Sequence, residues 1–268
     1  MQIQKYLMEG DEESVRLDLK TDDKEVKDQA LWAGIRPGMR VADIGCGAGK
    51  TTFYLNQLVQ PGGETVGVDF AEKRIQYAKT HYSAAGIEYV LKDIQGPVRD
   101  LGMFDFIWIR FVLEYYRLNS FEIVKNVCKI LKPGGIICLI DLDCNPLRHY
   151  GHSQRLENIL IKIAKIMEEK FNFDPYAGIR LYSYLYDLGY QEIDVKFASH
   201  NLIFGELAYK DEFNWMKKVE VAAKNSGYKF EEYEDGFEGF VAEFKAFFSD
   251  CRRLTYTPMI SCRGRKPV

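Results

Sequence analysis

Apolar positions fall into short blocks closed by turn-forming residues, and their spacing alternates between helical and strand-like. Asp23 to Ala33 has helical spacing. The block Val41-Ala42-Asp43-Ile44 stops at Gly45-Cys46-Gly47-Ala48-Gly49, and helix formers follow from Lys50 to Val59, which predicts a strand, a glycine turn and a helix. The same order repeats. Thr65 to Asp69 is a short buried strand, and Glu72 to Ala85 is a helix with Ile75 and Ala78 on one face. Glu88 to Leu91 and Phe104 to Ile109 give two more strands, ending at Lys92-Asp93 and at Arg110. A helix from about Ser120 turns Val124, Val127 and Leu131 inward and is halted by Pro133-Gly134-Gly135. Ile136 to Ile140 is then continuously apolar, as a strand buried on both faces would be.

Five strands alternating with helices in the first 143 residues predict a parallel, doubly wound α/β sheet, whose ligands bind at the carboxyl ends of strands. After Asp143 the pattern changes. Ser153 to Lys170 and the region of Leu181 to Leu188 are helical, and the alternation of Ile193, Val195 and Phe197 marks a sixth strand. Charged and aromatic helices fill roughly 206 to 252, and a last strand runs from about Thr255 to Arg263.

Composition narrows the partners. The chain has 268 residues, 47% of them hydrophobic, and a net charge of -3, so it buries a sizeable core and presents no overall basic field to a nucleic acid. No segment approaches the roughly 20 apolar residues of a membrane span, and a soluble, cytoplasmic protein is expected. The six cysteines form no CxxC pair, and Cys144, His149 and His152 are too irregularly spaced to predict a metal site.

The glycine turn admits three ligand classes. Gly49-Lys50-Thr51 resembles the end of a P-loop, but that pattern needs glycine where Ile44 stands. The dinucleotide fingerprint needs its third glycine where Lys50 stands, which leaves only a slipped GxGxG. A third class also accounts for the acidic residues around the turn. Asp43 sits inside its strand, Asp69 closes the next and Asp93 the one after. Carboxylates there can hold an ammonium group, both hydroxyls of a ribose and an exocyclic amine, with Ile94 adding apolar contact. Three acids with no committed phosphate cradle suit a cationic nucleoside such as S-adenosylmethionine.

These residues together resemble the motifs of the class I S-adenosylmethionine-dependent methyltransferases. Val41 to Gly49 is similar to the first motif, Val66-Gly67-Val68-Asp69-Phe70 to the second acidic motif, and Lys92-Asp93-Ile94 to the adenine motif. Phe104 to Ile107 with Arg110-Phe111-Val112-Leu113-Glu114-Tyr115 resembles the fourth strand and the turn facing the transferable methyl, and Leu131 to Gly135 the turn before strand five. The resemblance covers about residues 30 to 143 motif by motif. It implies a mostly parallel, Rossmann-like sheet of seven strands in the order 3-2-1-4-5-7-6, with strand seven antiparallel, and a helical cap. One domain over 1–268 is expected: an arm or lid over 1–22, a cofactor core over 23–143, and cap insertions with the last two strands over 144–268.

The resemblance further implies that the cofactor, released as S-adenosylhomocysteine, contacts Gly45, Cys46 and Gly47, Asp69 and Phe70, Lys92, Asp93 and Ile94, and Arg110, Phe111 and Tyr115, with Asp43 orienting the turn. Gly49 serves close helix packing, and Tyr6 of the arm closes over the cofactor. Methylation of a small organic acceptor without a metal is the expected reaction, at oxygen first with carbon and nitrogen open, and His149 and His152 are the candidate bases. A non-catalytic cofactor-binding protein and a nicotinamide-dependent oxidoreductase are the competing readings. No nucleic-acid or membrane partner is expected, and the chain is expected to be a monomer or homodimer.

Overall fold

Residues 17–18 and 21–268 are described by a computed structural model. Helix α1 (Asp23–Ala33) begins where the Asp22 side chain accepts the Glu25 N–H and ends at Gly34, whose left-handed backbone (φ 100°) returns its N–H to Ala30 and Leu31. Strand β1 (Arg40–Ile44), helix α2 (Lys50–Val59), strand β2 (Glu64–Asp69), helix α3 (Glu72–His81) and strand β3 (Ile87–Leu91) follow in the expected alternation. Helix α3 stops four residues before the expected Ala85. The backbone leaves helical geometry at Tyr82, whose carbonyl accepts the Tyr89 hydroxyl instead of continuing the helix.

Strand β4 (Phe104–Arg110) and helix α4 (Ser120–Val127) lead to β5 (Leu131–Leu142). The helix ends before Pro133-Gly134-Gly135, which lie within the β5 span. There the pairing jumps from Leu131 opposite Phe104 to Ile136 opposite Phe106, so the Pro-Gly-Gly run is an irregularity of the strand rather than the stop of the helix. Beyond β5 come the two-residue β6 (His149–Tyr150), α5 (Gln154–Phe171), α6 (Leu181–Asp187), β7 (Gln191–Phe204), α7 (Tyr209–Ser226), α8 (Phe237–Ser249) and β8 (Leu254–Arg265).

The strands form one sheet in the order β3-β2-β1-β4-β5-β8, with β7 along the far side of β8. Strand β8 runs antiparallel to both neighbours. Leaving out β6, this is the expected order 3-2-1-4-5-7-6 with its antiparallel seventh strand. Short β6 pairs His149 with Thr255, the residue that Ile203 of β7 meets from the opposite side, so β6 continues the line of β5.

Both sheet faces are covered, and for that reason the central strands are apolar at every position. Phe106, Trp108 and Cys138 pack with Val26 and Ala30 of α1 and Leu55 of α2, while Ile107, Ile109 and Leu139 pack with Val124 of α4 and Leu181 of α6. A separate apolar cluster joins α5, α7 and α8 through Leu156, Ile163, Trp215, Val219, Phe240 and Phe244. The sixth strand marked by Ile193, Val195 and Phe197 is edge strand β7, where Val195 is 45% and Phe197 71% exposed, since no further strand or helix covers them among the described residues.

Candidate active site

The glycine turn stands where parallel β1 meets β2 and β4, at the carboxyl ends of all three. Gly45 and Gly47 hold positive φ (75° and 54°), and a methyl group added at Gly45 would lie 2.3 Å from Val112 Cγ2. Gly49 does serve packing: its added carbon would lie 2.5 Å from Ala78 Cβ of α3. Four amides of the turn are spent inside the protein. Gly45 and Cys46 donate to Val68 O (2.7 and 3.0 Å), Gly47 donates to Asp69 Oδ2 (3.0 Å) and Gly49 to Cys46 O (3.0 Å). Lys50 Nζ reaches Asp18 O at 2.7 Å. A phosphate cradle needs such amides and the lysine directed at the ligand, so this turn does not fit a P-loop nucleotide or a dinucleotide pyrophosphate.

Three carboxyl groups stand around the turn in different states. Asp43 is 2% exposed and accepts the Thr52 hydroxyl at 2.6 Å. Burial pushes its pKa up to about 7, with Asp69 adding to the rise and the Thr52 bond and Arg110 opposing it. Asp69 is also buried, yet its oxygens already hold four donors: the Gly47 and Ala71 N–H groups and Nε and Nη2 of Arg74, the last at 2.9 Å. Asp93 is exposed and accepts the Gln95 N–H, with Ile94 buried beside it. The buried Tyr116 phenol feels both Asp93 and Asp69, and burial followed by their charges pushes it up to about 12.

The other expected residues spread over two sides of the turn. Phe70 is 41% exposed beneath the Arg74 guanidinium, and the Lys92 ammonium is drawn to Asp100 at 2.7 Å, on the outer side. The Cys46 thiol is buried and its acidity suppressed, chiefly by desolvation. Arg110 pairs with Glu25 of α1 at 2.8 Å and lies over Phe111. Phe111 takes a left-handed backbone (φ 58°), a costly state for a bulky residue, and its ring meets His200 at 4.7 Å. Tyr6 lies outside the described residues; Leu17 is described, and its Cδ1 would lie 3.2 Å from a carbon added at Gly47.

A cavity of about 470 Å³ opens beside the turn. Glu114, Tyr115, Asn145 and Pro146 line it from the strand ends, Glu25 from α1, and His200 from β7, while Leu160, Ile163 and Met167 of α5 and Asn214, Trp215 and Lys218 of α7 line it from the helical cluster. Val112 rests on Gly45, so the run from Val112 to Tyr115 connects the turn to the cavity.

His149 and His152 are not brought to this cavity. Strand β6 turns His149 into a nest of Trp215, Phe244 and Phe247 rings. Its Nε2 donates to Pro146 O (2.7 Å) and its Nδ1 accepts from the Thr255 hydroxyl (2.9 Å), so neither nitrogen is left to take a substrate proton. Burial lowers its pKa to about 4. His152 packs its ring against Phe247, with centroids 5.5 Å apart. No group of three His, Cys, Asp or Glu side chains suited to a metal occurs among the described residues.

Sequence reasoning passed over Arg74, Tyr116, Asp141, Asn145 and Lys218. Asp141 carried a usable signal, an acid within an apolar strand as at Asp43. The others are brought in by long-range packing and had none.

A mostly parallel sheet, a glycine turn whose amides are not directed at a phosphate, acids at successive strand ends and a cavity beside them together form the fold and site pattern of the class I S-adenosylmethionine-dependent methyltransferases. The profile of the methyltransferase domain family matches residues 35–216, and the chain belongs to that family. It is 27% identical over 134 residues to a protein from Lactococcus lactis named demethylmenaquinone methyltransferase, covering 48% of this chain and 53% of that one. The chain thus spans about half the length of such relatives. Among solved structures it resembles coclaurine N-methyltransferase bound to N-methylheliamine and S-adenosylhomocysteine (TM-score 0.55, 14% identity, 91% of this chain and 72% of the other). It also resembles the cyclopropane synthase MmaA2 from Mycobacterium tuberculosis (TM-score 0.54, 15% identity, 91% and 83%). At these identities the structures speak for the fold. No described helix is long and apolar enough to cross a membrane.

Proposed function

We propose that the protein transfers a methyl group from S-adenosylmethionine to a small acceptor seated in the 470 Å³ cavity, at an acceptor oxygen and without a metal. The observation that carries this reading is the continuity of Val112 to Tyr115, which touches the glycine turn at one end and the cavity at the other. The bound cofactor supplies an activated methyl on a sulfonium. In this reading Gly45 and Gly47 admit its methionine part above Asp43, with Arg110 alongside. Asp69 receives the ribose, shared with Arg74 and Tyr116, and Asp93 with Ile94 receives the adenine. The cap insertions within residues 144–268, α5 and α7 among them, shape the acceptor site and keep water from the reacting atoms, so positioning in a dry pocket supplies much of the rate.

The cavity's composition supports an acceptor with an apolar, ring-like body and one polar end. Leu160, Ile163, Met167 and Trp215 offer the apolar wall, and Glu114, Asn145 and Lys218 the polar one. Incubation with methyl-labelled S-adenosylmethionine and a panel of hydroxylated aromatic compounds is expected to give a labelled ether. Tight S-adenosylhomocysteine binding without labelled product from the panel or from a cell extract would leave a binding module in its place.

A further inference from the structure

Glu114 is built into its place more firmly than a loop residue needs to be. Its N–H donates to Asp141 Oδ2 (3.2 Å), its carbonyl accepts the Asp174 N–H (2.6 Å), and its side-chain Oε2 accepts Asn145 Nδ2–H at 2.8 Å. Asn145 Oδ1 in turn accepts the Lys218 ammonium. Glu114 is 2% exposed, and buried carboxylates ordinarily fill both oxygens. Here Oε1 accepts no hydrogen bond among the described residues, and Glu114 lines the cavity.

We propose that Glu114 is the catalytic base, its Oε1 taking the proton of a phenol-class hydroxyl bound in the cavity, and that Asn145 and Asp141 are positioning residues. The proposal rests on the methyl-transfer reading above. In the step, the acceptor oxygen forms a bond to the methyl carbon while the carbon–sulfur bond breaks, the sulfonium becoming a neutral thioether. The hydroxyl proton passes to Glu114, which ends as the neutral acid. The charged groups bonded around Glu114 are Asp141 from β5 and, through Asn145, Lys218 from α7; His200 of β7, Asp22, Glu25 of α1, and Lys210 and Asp211 of α7 share the cavity. Asp141 is fully buried, and desolvation followed by the Glu114 charge drives it well above the carboxylate range. Burial therefore favours the neutral form of Asp141, whose Oδ2 accepts the Glu114 N–H. The ring nest around His149 keeps that imidazole from acting as the base.

The test uses the full chain with S-adenosylhomocysteine bound and 4-nitrophenol as the probe. The negative charge of Glu114 raises the apparent pKa of the bound nitrophenol, read from its phenolate absorbance, and Glu114→Gln lowers it by about one unit or more. Equal values in the two proteins, or failure of nitrophenol to bind, overturn the proposal. With labelled S-adenosylmethionine and phenols of graded acidity, Glu114→Gln lowers kcat about 100-fold for weakly acidic phenols and far less for nitrophenol, while homocysteine-cofactor affinity stays within about twofold. Glu114→Asp restores part of the rate. A uniform loss across the series with weakened cofactor binding marks a merely structural role and also overturns it. If nitrophenol binds with its acidity set by Glu114 but no phenol is methylated, the methyl-transfer reading fails while the site stands.

Discussion

Asp43 carries a titratable group where water hardly reaches, and its cost has a definite sign. Its pKa is raised from 3.8 to about 7, so the folded state retains a proton that the unfolded chain releases. Stability present below pH 3.8 is lost as pH rises to about 7, on the order of 4 kcal/mol in all. Asp43→Asn is therefore expected to raise the melting temperature of the ligand-free protein at pH 8, to do little at pH 4, and to weaken S-adenosylmethionine binding at least tenfold by calorimetry. His149 has the opposite linkage. Its pKa falls from 6.5 to about 4, so its contribution is complete above pH 6.5 and disappears as pH drops to about 4. Urea midpoints measured across that window should decline in the wild type and flatten in His149→Gln, whose turnover per folded molecule is retained. At Gly45 the physics is steric. Gly45→Ala would crowd Val112 at 2.3 Å on a positive-φ backbone, and the expected outcome is about 1–3 kcal/mol of destabilisation with a larger loss of cofactor affinity. The need for glycine there was legible in the sequence. That Val112 fills the space was not, because 67 residues separate the two positions.

At the scale of elements, helices α5, α7 and α8 share a cluster with its own buried phenylalanines, apart from those that bind helices to the sheet. Phe244→Ala should cost about 3–5 kcal/mol. Hydrogen exchange is expected to quicken in α5, α7 and α8 and not in β1, β4 or β5, and acceptor KM to rise while S-adenosylhomocysteine affinity holds. If protection falls equally in the sheet, the helices do not act as a separate cap. The strand–turn–helix order of residues 23–143 could be read because each element carries its own period and its own stop: the apolar β1 block, the glycine turn that closes it and the apolar β5 run all act within a few residues. Tiny β6 could not. Two residues carry no period, and only the partner Thr255, more than a hundred residues away, makes His149 part of a strand. The placement of β7 at an uncovered edge was hidden for a related reason, since alternation marks a strand but not which of its faces another element covers.

For the whole molecule, ligand choice follows from how the turn's amides are used. With Gly45, Cys46 and Gly47 donating to Val68 and Asp69, S-adenosylhomocysteine is expected to raise the melting temperature strongly, and NAD and ATP hardly at all. At 100 times its dissociation constant a ligand adds about 2.7 kcal/mol. A larger shift with NAD would overturn the cofactor assignment.

The sequence by itself determined the elements, their doubly wound order and the acids at the strand ends, because periodicity and turn chemistry are local properties of a few neighbouring residues. Only the tertiary structure decided which polar groups are already spent. Asp69 is shared with Arg74, both nitrogens of His149 are committed to Pro146 and Thr255, and Glu114 keeps one oxygen toward the cavity. The burial and partners that set these states come mostly from elements distant along the chain, and they exist only once the sheet and the helices beside it have packed.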